Sequence, residues 1–287
     1  MSFDRIAACL IVSLVSTVPA HAQSSDIPDI QADDPQRPKW EAGVAGVALT
    51  TPDYPASDHY QRLALPAPYF VYHGRVFRSD EQGSRLRRAL TPNIELSMSG
   101  GGALSTDSSD TEAREGMPDL DYLLELGPNL KISFEAPGTE SQFVINLPIR
   151  GVISVDSSGA DWRGALFAPE FAYQEQHLMD SPLSLRVSLG LEYSSTLLQR
   201  YFYEVEPQYE TADRPAYQAD SGLLDASLGA RLSLPLSPNV RGFVALRYYR
   251  YGGAANEDSP LFRDDHGYTA VIGFSWTLLR SRERAAD

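Results

Sequence analysis

From residue 40 onward, apolar and polar residues alternate with period two. Leu183, Leu185, Val187, Leu189, Leu191 and Tyr193 share one face, and Ser184, Arg186, Ser188, Gly190, Glu192 and Ser194 share the other. The same division places Leu224, Ala226, Leu228, Ala230, Leu232 and Leu234 opposite Leu223, Asp225, Ser227, Gly229, Arg231 and Ser233. It recurs with Tyr268, Ala270, Ile272, Phe274, Trp276 and Leu278 against Thr269, Gly273, Ser275 and Thr277. A helix would repeat its apolar positions at i, i+3 and i+4, so these segments predict strands with one apolar and one polar face.

About twelve such segments occur, at 40–51, 62–72, 75–80, 84–89, 92–104, 120–135, 141–153, 163–174, 183–195, 222–235, 239–251 and 267–279. The segments 75–80 and 84–89 alternate least, and without them the count is ten. Most are about ten residues long, which a tilted strand needs to cross a bilayer. The connections sort by parity. Long ones (52–61, 105–119, 154–162, 196–221, 252–266) alternate with short ones (73–74, 136–140, 175–182, 236–238), the 81–83 link apart. An up-and-down barrel would gather the long loops on one rim and the tight turns on the other, as outer-membrane barrels do. The competing fold is a secreted β-sandwich. It does not require loops sorted by parity, and its outward face is usually rich in Lys, Glu and Thr, whereas the polar face here is mostly Ser, Gly and Asn with isolated charges. The prediction is therefore an all-β chain forming a transmembrane antiparallel up-and-down β-barrel over 39–279.

In a barrel set in lipid the apolar face is outside and the polar face lines the lumen. That arrangement points Glu95, Glu125, Lys131, Arg150, Arg186, Glu192, Asp225, Arg231, Arg241 and Arg247 inward. They would either fill the lumen as ion pairs, as side chains commonly fill small barrels, or line a solute path. Aromatic residues at strand ends (Tyr69, Phe70, Tyr72; Tyr201, Phe202, Tyr203; Tyr248, Tyr249, Tyr251; Trp40, Tyr268, Trp276) would form girdles at headgroup level.

The N-terminus sets the compartment. Arg5, the apolar stretch 6–18 and Ala20-His21-Ala22 read as a secretory signal over 1–22, cleaved near Ala22. Ile6-Ala7-Ala8-Cys9 resembles a lipobox but comes too early, because the apolar stretch continues past Cys9. Residues 23–38 read as a flexible Pro/Asp-rich linker and 280–287 as a charged tail. Cys9 is the single cysteine of the 287 residues, so the mature chain carries neither disulfides nor thiol chemistry. A net charge of −14 lacks the basic footprint of nucleic-acid binding.

Five short stretches, 52–58 (PDYPASD), 115–119 (EGMPD), 125–128 (ELGP), 215–225 (PAYQADSGLLD) and 258–264 (DSPLFRD), resemble the MipA/OmpV family of outer-membrane proteins in their order. The likeness runs from Trp40 to Leu279. It implies an outer-membrane barrel in contact with lipid. It also implies the role of the best-known member, a scaffold joining a murein lytic transglycosylase to a bifunctional penicillin-binding protein. Other members are described as porin-like or adhesive, so a narrow channel and an adhesin stay open as alternatives. The tail departs from the family pattern, since such barrels usually end on an aromatic residue.

Catalytic chemistry has little support in the sequence. No G-x-S-x-G elbow occurs, and the Ser57-Asp58-His59 and Asp264-Asp265-His266 runs supply proximity in sequence only. A triad must converge in space. Asp107, Asp110, Glu112, Glu115, Asp264 and Asp265 are acidic loop residues without the spacing of a Ca²⁺ loop. No enzyme activity, cofactor or metal is expected. Pro52, Pro55 and Pro66 are expected to stiffen the first loop.

Overall fold

The alternating segments form one antiparallel sheet of 14 strands in a computed structural model describing residues 38, 40–73, 77–80, 83–86, 88–135 and 141–283. The signal segment, the linker before Pro38 and the tail past residue 283 lie outside the described residues. The strands are β1 (Trp40–Pro52), β2 (Tyr60–His73), β3 (Phe77–Asp80), β4 (Gly83–Leu86), β5 (Arg88–Thr91), β6 (Ile94–Ala103), β7 (Tyr122–Glu135), β8 (Ser141–Val155), β9 (Ala160–Phe167), β10 (Glu170–Glu175), β11 (Ser184–Ser194), β12 (Gly222–Ser237), β13 (Val240–Arg250) and β14 (His266–Arg280). The first and last long strands pair along their length, from Glu41 opposite Arg280 to Thr50 opposite Ala270. The sheet runs β4-β3-β2-β1-β14-β13-β12-β11-β10-β8-β7-β6-β5. Its two ends, β4 and β5, are separated by one residue of sequence. The continuous backbone thus joins the ends, and β4 also lies against β6. A sheet closed on itself hides its backbone polar groups, which lipid requires.

Two expected strands are each divided. The segment expected at 163–174 becomes β9 and β10, both lying between β8 and β11. Pro169 lacks an N–H to continue the ladder, although Ala168 N still donates to the Pro148 carbonyl (3.2 Å) and Leu191 N to the Pro169 carbonyl (3.0 Å). The segment expected at 84–89 becomes β4 and β5, the first paired with β3 and the second with β6. Counted as positions around the ring, the strands number twelve. Pro66 lies inside β2, opposite Gly46, rather than in the first loop. Among the described residues β3 pairs with β2 at Tyr72 and His73 alone, so the missing N–H of Pro66 breaks no described ladder bond to β3.

The faces are inverted relative to a soluble protein. Ile272 (60 % exposed), Leu189, Leu228, Leu246, Ile149 and Leu126 form an exposed apolar band on the outer surface. Aromatic rings border it on both sides. Tyr60, Tyr122, Trp162, Tyr193, Tyr248 and Tyr268 ring the long-loop end, with Tyr60 and Tyr268 4.9 Å apart. Trp40, Phe70, Phe143 and Trp276 ring the short-turn end, with Trp40 stacked on Phe70 at 6.1 Å. A band of this kind between two girdles matches the layers of a bilayer.

The parity of connections holds with one adjustment. The third long loop shrinks to residues 156–159, because β8 and β9 extend into the expected loop. The loop expected at 196–221 contains a helix, α1 (Thr196–Tyr203). No helix among the described residues is long and apolar enough to cross a membrane.

Candidate functional site

The inward faces carry the charges. Glu125, Arg150, Glu192, Asp225, Arg231 and Arg247 are all buried. Their elements explain why they meet: Glu125 on β7 stands opposite Val152 on β8, next to Arg150, and Glu192 on β11 stands directly opposite Asp225 on β12. Arg150 Nη1 donates to Glu125 Oε2 (3.0 Å), and Arg150 Nε donates to Ser99 Oγ (3.1 Å). Gly101 makes room for this pair, since a Cβ there would lie 2.6 Å from Glu125 Oε2. Deeper in the lumen, Glu170 accepts from Arg186 through Oε1 and faces Arg247 through Oε2 at 3.6 Å. Asn146 Nδ2 also donates to Glu170 Oε1 (3.1 Å). Arg231 stacks over the Phe243 ring at 3.9 Å, and its Nε donates to Ser233 Oγ (3.3 Å).

Glu95 and Lys131 stand opposite each other on β6 and β7, half-buried near the short-turn end. Arg241, also half-buried, belongs to the mouth at that end rather than to the deep network. Glu170, the hub, is not among the inward charges that the sequence pattern predicts. The signal was present in Phe171 and Tyr173, whose outward direction puts Glu170, Ala172 and Gln174 inward. Among the described deep residues, Glu125 pairs with Arg150 and Glu170 with both Arg186 and Arg247, while Glu192 and Asp225 stand opposite each other on β11 and β12. Paired and hydrogen-bonded burial is the condition under which charges persist in a dry interior.

The long loops fold over this network as a cap with its own apolar core. Tyr54, Ala56, Leu198, Phe202, Tyr203, Val205, Ala219 and Leu261 are buried in it and merge with Leu123, Val152, Leu166 and Leu224 of the upper lumen. Tyr203 and Phe202 are therefore core residues, as are Tyr249 and Tyr251, and not the girdle residues expected. A register shift at Glu192/Tyr193 accompanies the turning of Leu224 inward. Each fully buried large side chain contributes about 1.5–3 kcal/mol, so the loops hold a fixed arrangement.

Polar contacts tie the loops together. The Tyr54 hydroxyl donates to the Leu261 carbonyl (2.9 Å) and the Tyr203 hydroxyl to that of Pro55 (3.0 Å). Arg263 N and Asp264 N both donate to the Ala56 carbonyl. Buried Arg114 donates to the carbonyls of Phe202 and Pro118, both at 3.2 Å. Arg214 donates to those of Ala113 and Glu115, both at 3.0 Å. Four of the five motif stretches (52–58, 115–119, 215–225 and 258–264) thus lie in the cap or end at its edge. The fifth, 125–128, supplies Glu125. Burial pushes the phenols of Tyr54 and Tyr201 up to about 12.

His59 Nδ1 lies 2.7 Å from Asp53 Oδ2, with the ring half-exposed. Ser57 is fully buried, and its Oγ accepts from the His59 backbone N–H (3.1 Å), so the structure brings acid and imidazole together beside an enclosed hydroxyl. Asp107 is occupied as the acceptor for Ser109 N and Oγ, which lowers its pKa. Among the described residues, no group of three or more His, Cys, Asp or Glu is placed to hold a metal ion.

Comparison with curated proteins gave no match. Solved structures of similar shape include outer membrane phospholipase A from Escherichia coli, at 10 % identity and TM-score 0.35 over 88 % of this chain and 98 % of that one. The translocator domain of the autotransporter NalP from Neisseria meningitidis aligns at 8 % identity and TM-score 0.42, over 85 % and 89 % of the two chains. OmpT of Vibrio cholerae aligns at 7 % identity and TM-score 0.38, over 87 % and 100 %. Likenesses of this size assign neither an activity nor a partner. The sequence itself matches the family model of the MltA-interacting protein MipA over residues 44–278, from the first strand to the last. With its apolar outer band, its lumen of ion pairs and its family motifs gathered in the cap, this outer-membrane β-barrel protein belongs to the MipA family.

Proposed function

We propose that the chain is a non-enzymatic anchor in the outer membrane that holds murein-synthesising and murein-cleaving enzymes at its periplasmic, short-turn end. The observation that supports this most is the filling of the lumen. Four buried carboxylates and four guanidinium groups occupy it, and the folded loops cover one end. A barrel plugged in this way offers partners its rims rather than its interior. The family description, an MltA-interacting protein, supports a murein enzyme as partner. A lytic transglycosylase and a bifunctional penicillin-binding protein are the partners proposed, with outer-membrane lipid around the barrel. In this reading the chain is exported by its N-terminal signal and cleaved near Ala22.

The second reading, a narrow channel, draws on the inward guanidinium groups of Arg186 and Arg231 and on Arg241 at the mouth. Affinity capture from native membranes tests the anchor. Retention of a murein-cleaving enzyme is the expected result, and capture without any murein enzyme contradicts it.

A further inference from the structure

Part of the inner wall is apolar, where an outer-membrane barrel is ordinarily polar. Thr51 meets Thr269 inside the lumen (Oγ1 to Oγ1, 2.8 Å), which makes the face of β1 holding Thr51, Leu49 and Val47 the inner one. Cross-strand pairing extends this face in two rows. Leu49 stands between Leu63 of β2 and Val271 of β14. Val47 stands between Leu65 of β2 and Gly273 of β14, and the Phe243 ring covers Gly273, reaching within 2.5 Å of where a Cβ would lie. Leu65 ends its row 50 % exposed, although it points inward.

The barrel wall beside Leu65 is low. β2 has 14 residues, whereas β3, β4 and β5 have 4 each, a rise of about 13 Å. Among the described residues, β3 meets β2 at Tyr72 and His73, and β5 reaches no higher on β6 than Arg88 opposite Leu96. The links 74–76, 81–82 and 87 span at most about 3.6 Å per residue, too little to run along β2 to Tyr60. Above that level no described strand lies between β2 and Ser97–Ala103 of β6. Loops close the opening on top, where Thr106 Oγ1 donates to the Asp53 carbonyl (2.9 Å) and Thr111 Oγ1 to Asp53 Oδ2 (3.2 Å).

The borders of the opening suit lipid. Pro66 and Pro68 on β2 carry no N–H. Across from them, Ser97 and Ser99 spend their hydroxyl protons on the carbonyls of Asn129 (3.5 Å) and Gly127 (3.3 Å). On the outer face Arg62, opposite Thr50, is exposed two residues from the girdle ring of Tyr60. Its guanidinium has no carboxylate partner among the described residues, and Asp58 in the loop above is engaged by Arg263 (3.5 Å).

We propose that an anionic phospholipid enters this opening, its phosphate held by Arg62 and one acyl chain lying over Leu65, Val47 and Leu63. The opening is continuous with the apolar outer band, so the bilayer itself delivers the ligand. Lipid tails gain little by exchanging lipid for an apolar wall. The contact of guanidinium with phosphate therefore sets the preference among lipids. A seated chain also insulates the lumen from the side. The site does not depend on the anchor role and is tested without murein enzymes, so either can fail alone.

The test reconstitutes the full chain into phosphatidylcholine bilayers containing phosphatidylglycerol with a diazirine in its acyl chain. Photo-adducts are mapped by mass spectrometry. Adducts are expected at inward Leu63 and Leu65 as well as at outward Leu189, Leu228 and Ile272. Arg62→Gln, with native strand content by circular dichroism, should lower the inward adducts about fivefold, the effect of one cation on an anionic lipid, and leave the outward ones unchanged. Diazirine-bearing phosphatidylcholine should label the inward positions about fivefold less, and inorganic phosphate should not compete. Adducts confined to the outward positions, equal inward labelling by the two lipids, undiminished inward labelling in Arg62→Gln, or competition by phosphate would each overturn the proposal.

Discussion

Removing the Glu170 carboxylate would leave the Arg186 and Arg247 guanidinium groups buried beside each other without their common partner. Breaking a buried pair from one side costs about 3–5 kcal/mol, so Glu170→Ala should lower unfolding stability by that amount in urea titrations in lipid. Glu95→Gln, at a half-buried position, should cost less than about 1 kcal/mol. Equal losses in the two variants would contradict the hub role of Glu170. In the cap, the raised phenols of Tyr54 and Tyr201 set an alkaline limit. Burial disfavours the phenolate, so the folded pKa of about 12 exceeds the usual value of 10.0. Stability linked to these groups is complete below the unfolded pKa and is lost as pH rises toward the folded one. Proteolysis of the cap should therefore accelerate above pH 10.0, alongside a rise in tyrosinate absorbance. Titration of every tyrosine at the ordinary value, with the cap intact, would contradict this burial.

At the scale of elements, the outward faces of β11, β12 and β14 make the most direct claim. Leu189→Arg should destabilise the barrel by about 2–4 kcal/mol if this position meets the middle of the bilayer, and refolding into vesicles measures that cost. A neutral effect would mean that the face is not in lipid. Long strands were legible because a two-residue period persists through them, as from Leu183 to Tyr193. The division at Pro169 was not, because residues on either side keep the alternation while the ladder bends. Helix α1 was hidden in a long connection, and its Tyr201-Phe202-Tyr203 run is equally compatible with a girdle and a core. Contacts such as those of Tyr203 with Pro55 and of Arg114 with Phe202 separate these, and such pairings between distant loops leave no periodic trace. The charged lumen was legible by face. Which carboxylate joins which guanidinium depends on strand register, and so Glu170 escaped notice.

The whole molecule is a barrel with unlike ends: a folded cap where the long loops meet, and a mouth between tight turns. With the long loops outside the cell, an epitope inserted at Ala212 should be labelled on intact cells and one at Ser237 should not. The opposite pattern would reverse the molecule and move the proposed docking rim to the cell exterior. Ion pairs and cap together close the lumen, and single-channel recording in planar bilayers reads that closure without intermediaries. The inserted, native protein should be electrically silent at low and high salt. Steady conductance steps that scale with salt concentration would contradict it and make the chain a channel.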